Sequence, residues 1–137
     1  MTIALYGIPN CDQVKKARAW LHQHHVAVDF IDFKKIQVTP TLINGWLEQL
    51  DWQHLLNRRG TTWRALPEAE KLAVTDAASA IQCMVASPSI IKRPVLVTQT
   101  QQHREILVGF SEENYQRLFS PSSLSTSPSS NLVDTKP

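Results

Sequence analysis

The strongest constraint on this chain lies in its first 33 residues, which read as a β-loop-α-β unit. Residues 3 to 6 are a short apolar run closed by Gly7-Ile8-Pro9-Asn10, the pattern of a buried strand that ends in a tight loop. A helix follows at once: from Cys11 onward Val14, Ala17 and Leu21 share one face, while Gln13, Lys16 and Gln23 fall mostly elsewhere. Val26, Val28 and Phe30 then alternate with a period of two, which predicts a second strand over 26–33.

The character changes between Thr39 and Pro88, where the pattern is helical. Thr39 is suited to cap a helix, Pro40 to its first position, and Leu42, Ile43, Trp46, Leu47 and Leu50 repeat along one side, with short helices continuing through Leu56. Asn57-Arg58-Arg59-Gly60 reads as a loop. A further helix is predicted from Asp76 as its cap through Ala77, Ala80, Ile81, Met84 and Val85, with Pro88 as its stop. After Arg93-Pro94, two runs rich in β-branched residues, 95–98 and 105–108, are joined by a Gln-rich turn and predict an antiparallel hairpin. Ser111 can cap a last helix, with Glu112 and Glu113 in its first turn and Tyr115, Leu118 and Phe119 as apolar contacts. The order β-α-β, helical block, β-β-α predicts an α/β fold: a mixed sheet flanked by helices. One domain is expected over 1–119, with a helical insertion at about 38–90, followed by a disordered Ser/Pro-rich tail over 120–137.

Composition excludes several functions. With 14 Lys plus Arg against 12 Asp plus Glu, the net charge of +2 is no general footprint for nucleic acid. Two cysteines do not make the framework of a stapled secreted mini-domain. The N-terminus lacks a basic region ahead of a long apolar stretch, and no run approaches membrane-spanning length. A reducing compartment, the cytoplasm by elimination, is therefore the expected setting, with no membrane association.

The chemistry concentrates at Cys11. A cysteine where a strand-to-loop turn meets a helix N-terminus has unpaired backbone N–H groups and the positive end of the helix dipole beside it, both of which favour the nucleophilic thiolate. The same N–H groups can hold an oxyanion or a carboxylate. Asn10 adds a side-chain amide, Lys15 and Lys16 follow one turn on, and Asp12 opposes the thiolate. The plainer alternative is that Cys11 is an inert small apolar side chain. Val14 occupies the position where a local dithiol motif would carry its second cysteine, so a local dithiol cycle is excluded. Cys83, among Ala80, Ile81 and Met84, reads as a core residue and is the one internal candidate for a resolving thiol.

Arg93-Pro94 before a strand is a candidate cis turn facing the Cys11 loop, or an ordinary strand start with an exposed arginine. Arg58 and Arg59 can form an anion clamp or a solvated loop pair. His22, His24 and His25 lack partners at ligand spacing and read as a polar helix end, so no metal is expected.

Three separated motifs, in order and at matching spacing, make the chain recognisable: Tyr6-Gly7-Ile8-Pro9-Asn10-Cys11 with Lys15-Lys16-Ala17, then 55–64, running Leu-Leu-Asn-Arg-Arg-Gly-Thr-Thr-Trp-Arg, then Ile90-Ile91-Lys92-Arg93-Pro94. Together they resemble the arsenate reductase-related (ArsC/Spx-like) family, and within it the small glutathione-dependent thiol reductase branch of Gram-negative bacteria. The resemblance implies a thioredoxin-like fold, βαβ and ββα halves around a mixed four-stranded sheet, with an all-helical insertion. It implies Cys11 as nucleophile with Asn10 beside it, and Arg93, Arg59 and Pro94 as the anion-binding and substrate-binding residues. Glutathione is then the expected co-substrate, with no tightly bound cofactor, an oxidised thiol or oxyanion as substrate, and a monomeric chain. The arsenate reductases proper carry a further arginine after the last strand, where this chain has Gly109-Phe110-Ser111, so arsenate itself is not implied. The family also contains Spx, which implies a rival role: a regulator that binds RNA polymerase without catalysis and without contacting nucleic acid directly.

Overall fold

The computed structural model describes residues 1–119; the expectation for 120–137 lies outside the described residues. Four strands form one sheet in the order β2-β1-β3-β4. The strands are β1 (Thr2–Gly7), β2 (Asp29–Asp32), β3 (Val95–Gln99) and β4 (Arg104–Val108). β1 runs parallel to β2 and antiparallel to β3, and β3 runs antiparallel to β4. Helix α1 (Asp12–Gln23) links β1 to β2. A helical block follows, comprising α2 (Pro40–Leu47), α3 (Trp52–Leu55), α4 (Thr61–Arg64), α5 (Glu68–Leu72) and α6 (Ala77–Ala86), and α7 (Glu112–Phe119) comes after β4. This is the mixed-sheet α/β architecture predicted from element order.

Side-chain alternation along the central strands divides the core in two. Leu5 and Leu96, directly opposite each other on β1 and β3, face Ala17, Trp20 and Leu21 of α1 and Tyr115 of α7. Their neighbours Val95 and Val97 face the helical block, where Ile43, Trp46, Leu55, Ala80, Met84 and Ile91 close a second cluster. Residues 95–98 of β3 are therefore buried on both faces.

Capping chemistry sets the helix limits. The Thr39 hydroxyl accepts from the Leu42 amide at 3.2 Å with Pro40 at the first turn. Asp76 and Ser79 form a reciprocal capping box at the start of α6. Pro88 does not simply follow α6; it opens a 3-10 turn, Pro88–Ile90.

One local reading needs correction. The strand expected over 26–33 is shorter at its start, because the Val26 amide donates to the Leu21 carbonyl and the His25 amide to the His22 carbonyl. This is a Schellman end to α1, with His25 in the left-handed region at φ 60°. Val26 is thereby committed to the helix terminus, where it packs with Leu21, rather than to the ladder. Residues 61–75 contain two helices of four and five residues, too short to show a periodic stripe.

Gly7 sets how closely β1 and α1 approach: a Cβ built there would lie 2.7 Å from Val14 Cγ2. Gly7→Ala should therefore force α1 outward and destabilise the fold by about 1–3 kcal/mol, the usual range for overpacking. Chemical denaturation tests this, and an unchanged midpoint would show that Val14 simply turns aside.

Candidate active site

Strand pairing brings the chemistry to one end of the sheet. Tyr6 pairs with Val95 at the C-terminal end of β1 and the N-terminal end of β3. The chain leaving β1 toward Cys11 thus runs beside the chain entering β3 from Arg93-Pro94. Val95 also pairs with Val108, so the exit from β4 lies at the same end. There the Gly109 amide donates to the Pro94 carbonyl at 2.8 Å, with Gly109 at φ +79°, a conformation that suits glycine.

Cys11 is the N-cap residue of α1, with extended backbone at φ −128° and ψ 129°, and its carbonyl accepts the first helical hydrogen bond from Lys15 at 2.9 Å. The side chain is partly buried and both cysteines are free thiols. Burial pushes the Cys11 thiol up, but the Val14 amide, the Arg93 guanidinium and the Gln13 amide together outweigh it and bring the thiol below its ordinary value. The amides are the orphan donors of the first helical turn.

Arg93 is half-buried and held from behind. Its Nη1 donates to the Ser89 carbonyl at 2.9 Å, while its buried Nε has no partner among the described residues. The Arg93–Pro94 peptide bond is cis. The preceding segment is stitched to the middle loop: Leu56 and Ile91 form an antiparallel bridge, the Asn57 amide donates to the Ile90 carbonyl at 2.7 Å, and the Lys92 amide donates to the Leu55 carbonyl at 2.8 Å. Two motifs more than thirty residues apart are thereby fixed side by side.

The two loop arginines do not act as a symmetrical pair. The Arg58 guanidinium lies over Trp52 at 5.6 Å and Trp63 at 5.9 Å, a cation–π arrangement that occupies it. Arg59 is exposed, its amide donates to the Asn57 side-chain oxygen at 3.1 Å, and its guanidinium makes no hydrogen bond or ion pair among the described residues. Asn10 is exposed on the loop that leads into Cys11. Cys83 lies apart on α6, packed against the helical-block cluster, and burial, followed by the charge of Glu70, pushes its thiol up. His24 stacks on Trp20 at 3.8 Å between ring centres and its Nδ1 contacts the Trp20 carbonyl at 2.8 Å, so this histidine belongs to the end of α1.

The model of the ArsC family matches residues 6–118. The chain belongs to that family. Among solved structures, the YffB (PA3664) protein is 47% identical, with a TM-score of 0.75 over 83% of this chain and 96% of its own. An arsenate reductase (ArsC) related protein from Brucella melitensis is 42% identical, with a TM-score of 0.66 over 88% of this chain and 96% of its own. The global transcriptional regulator Spx 2 of Lactococcus lactis is 27% identical over 122 residues, covering 87% of this chain and 86% of its own. The family and the thioredoxin-like architecture thus agree with the resemblance read from the three motifs. No helix among the described residues is long and apolar enough to cross a membrane.

Three contacts of this ArsC-family site were not read from the sequence: the Ser89 carbonyl behind Arg93, the Gly109 amide on Pro94, and the Trp52–Arg58–Trp63 contact. The last had a signal, two tryptophans flanking an arginine within one short segment.

The lowered Cys11 thiol carries a stability signature. Because the folded chain favours the thiolate, the unfolding free energy should rise with pH from the native thiol pKa to the unfolded-chain value of about 8.5, then level off. This contribution is lost as pH falls through the native value. The difference in unfolding free energy between the wild type and Cys11→Ser isolates it, and a difference that stays flat across that window would contradict thiolate stabilisation.

Proposed function

We propose that the chain is a glutathione-dependent thiol/disulfide reductase of the ArsC family, with Cys11 thiolate as its nucleophile. The observation that carries this reading is the convergence on one sulfur of the α1 amides and the Arg93 guanidinium, at a partly exposed thiol. In the first step the Cys11 thiolate attacks the glutathione sulfur of a glutathionylated substrate. The old S–S bond breaks, the substrate leaves as a thiolate, and a Cys11–glutathione disulfide remains. A second glutathione thiolate then attacks the glutathione sulfur of that disulfide, releasing Cys11 thiolate and oxidised glutathione. The external thiol is needed because Val14 is buried where a local resolving cysteine would sit, and Cys83 is half-buried on α6 against the helical-block cluster, where burial pushes its thiol up.

Arg93 is the residue proposed to favour the thiolate and to meet an anionic group of the substrate, since its unpartnered Nε needs an acceptor. Arg59, exposed and without a hydrogen bond or ion pair among the described residues, is proposed as a second cationic contact, with Asn10 and Pro94 shaping the approach to the sulfur. The work is positioning and charge stabilisation, and cytoplasmic reducing conditions suit it.

The rival reading, a regulator that binds RNA polymerase, is favoured by the similarity to Spx relatives. It does not need an activated thiol. pH-dependent alkylation of Cys11 separates the two. For the enzyme, the thiol pKa should lie well below about 8.5, rise in Arg93→Ala, and stay put in Arg59→Ala while that variant slows reaction with oxidised glutathione several-fold. An ordinary pKa insensitive to Arg93, together with stoichiometric capture by the C-terminal domain of the polymerase α subunit, would establish the regulator instead.

A further inference from the structure

Beside the thiol loop a groove of about 460 Å³ runs between α1 and the start of α7, and no residue of the three motif segments except Lys16 lines it. Its α1 wall presents Gln13 and Lys16 above Trp20, and its opposite wall presents Phe110, Ser111 and Glu112. Lys16 and Glu112 are both exposed, carry opposite charges, and make no ion pair with each other or with any described residue. Both walls of the groove adjoin the Cys11 site along the chain. The Gln13 amide is one of the groups acting on the Cys11 sulfur, and Phe110 follows Gly109, whose amide is bound to Pro94.

We infer that this groove is the subsite for the γ-glutamyl end of glutathione, with Lys16 taking its α-carboxylate and Glu112 its α-ammonium. The inference rests on the glutathione reading above and names the residues that would make the site selective. Two opposite charges held apart across a cleft match a ligand end that carries both signs on one carbon, and match a singly charged end less well. The length also fits. Lys16 is five residues along α1 from Cys11, a rise of about 7.5 Å. An extended chain covers about 3.5 Å per three bonds, and the γ-linkage puts seven bonds between the ligand sulfur and the γ-glutamyl α-carbon, so a sulfur placed at Cys11 brings that carbon to about 8 Å away. The cleft stands open because Phe110 and Ser111 follow Gly109 with no long cationic side chain at these positions.

The reaction to measure is attack of Cys11 thiolate on a symmetrical disulfide, which forms the Cys11 mixed disulfide and expels one thiolate. The two probes are oxidised glutathione and the disulfide of glutaryl-cysteinylglycine, which lacks only the ammonium. Stopped-flow rates should favour oxidised glutathione roughly two- to fivefold, the size expected of exposed charge pairs, and the preference should shrink with added salt. Glu112→Gln should bring the ratio of the two rates close to one. Lys16→Gln should slow both probes and leave the ratio above one. Equal rates for the two probes in the wild type, or a ratio unmoved by Glu112→Gln, would overturn the subsite while leaving the reductase reading intact. Failure of Cys11 to form a mixed disulfide with either probe would overturn both.

Discussion

The antiparallel pairing of β1 with β3 is the interaction on which the site depends. Cys11 and Arg93 are separated by most of the described chain, yet the Tyr6–Val95 pair places the exit of one strand beside the entrance of the other. Leu5 against Leu96 holds that register from the α1 side, both fully buried, and Val95 holds it from the opposite face. A one-residue slip of β1 would turn Leu5 away from α1, and one of β3 would turn Leu96 away from α1 and move Val95 and Val97 out of the helical-block core, so burial on both faces enforces the pairing. Placement of the arginine by the thiol is a consequence of core packing.

The electrostatics at Cys11 are a contest that the fold decides in favour of the thiolate. Burial opposes the thiolate and is the largest single influence, so neither the helix end nor the arginine can be treated as decoration. The helix contributes through amides that exist because α1 begins where it does. The close contact of Gly7 with Val14 keeps that beginning pressed against β1. The arginine contributes because Ser89 fixes one of its nitrogens while the bridge between Leu56 and Ile91 steadies its segment. Asp12, next in sequence and exposed, was expected to oppose the thiolate, yet it is not among the influences on the sulfur.

The sequence made the element order and the thiol loop legible because both are local patterns: an apolar run, a Gly-Ile-Pro-Asn closure, a helical stripe and caps at Thr39, Asp76 and Ser111. What it left unread depends on tertiary neighbours. Val26 alternates with Val28 and Phe30 as a strand residue would, but its amide is taken by the end of α1, which shortens β2. Arg58 and Arg59 are adjacent and chemically alike, and only the positions of Trp52 and Trp63 separate their roles. The pairing of Arg93 with the carbonyl of Ser89, four residues back, follows from the 3-10 turn that Pro88 begins.

The division of the core assigns the two halves of the chemistry to different packing units. The thiol helix belongs to the cluster formed with Leu5, Leu96 and Tyr115, whereas the segments carrying Arg59 and Arg93 are anchored in the cluster of Leu55, Leu56, Ile90 and Ile91. The units share the sheet and meet at its one end. The helical block can therefore vary in sequence around Arg59 and Arg93 without disturbing the start of α1, provided that Val95 and Val97 remain covered. The α1–α7 face can likewise alter what approaches the sulfur without moving the arginines. A family that includes proteins named as reductases and as regulators is compatible with such a frame, since either set of surroundings can change while the β1–β3 register is kept.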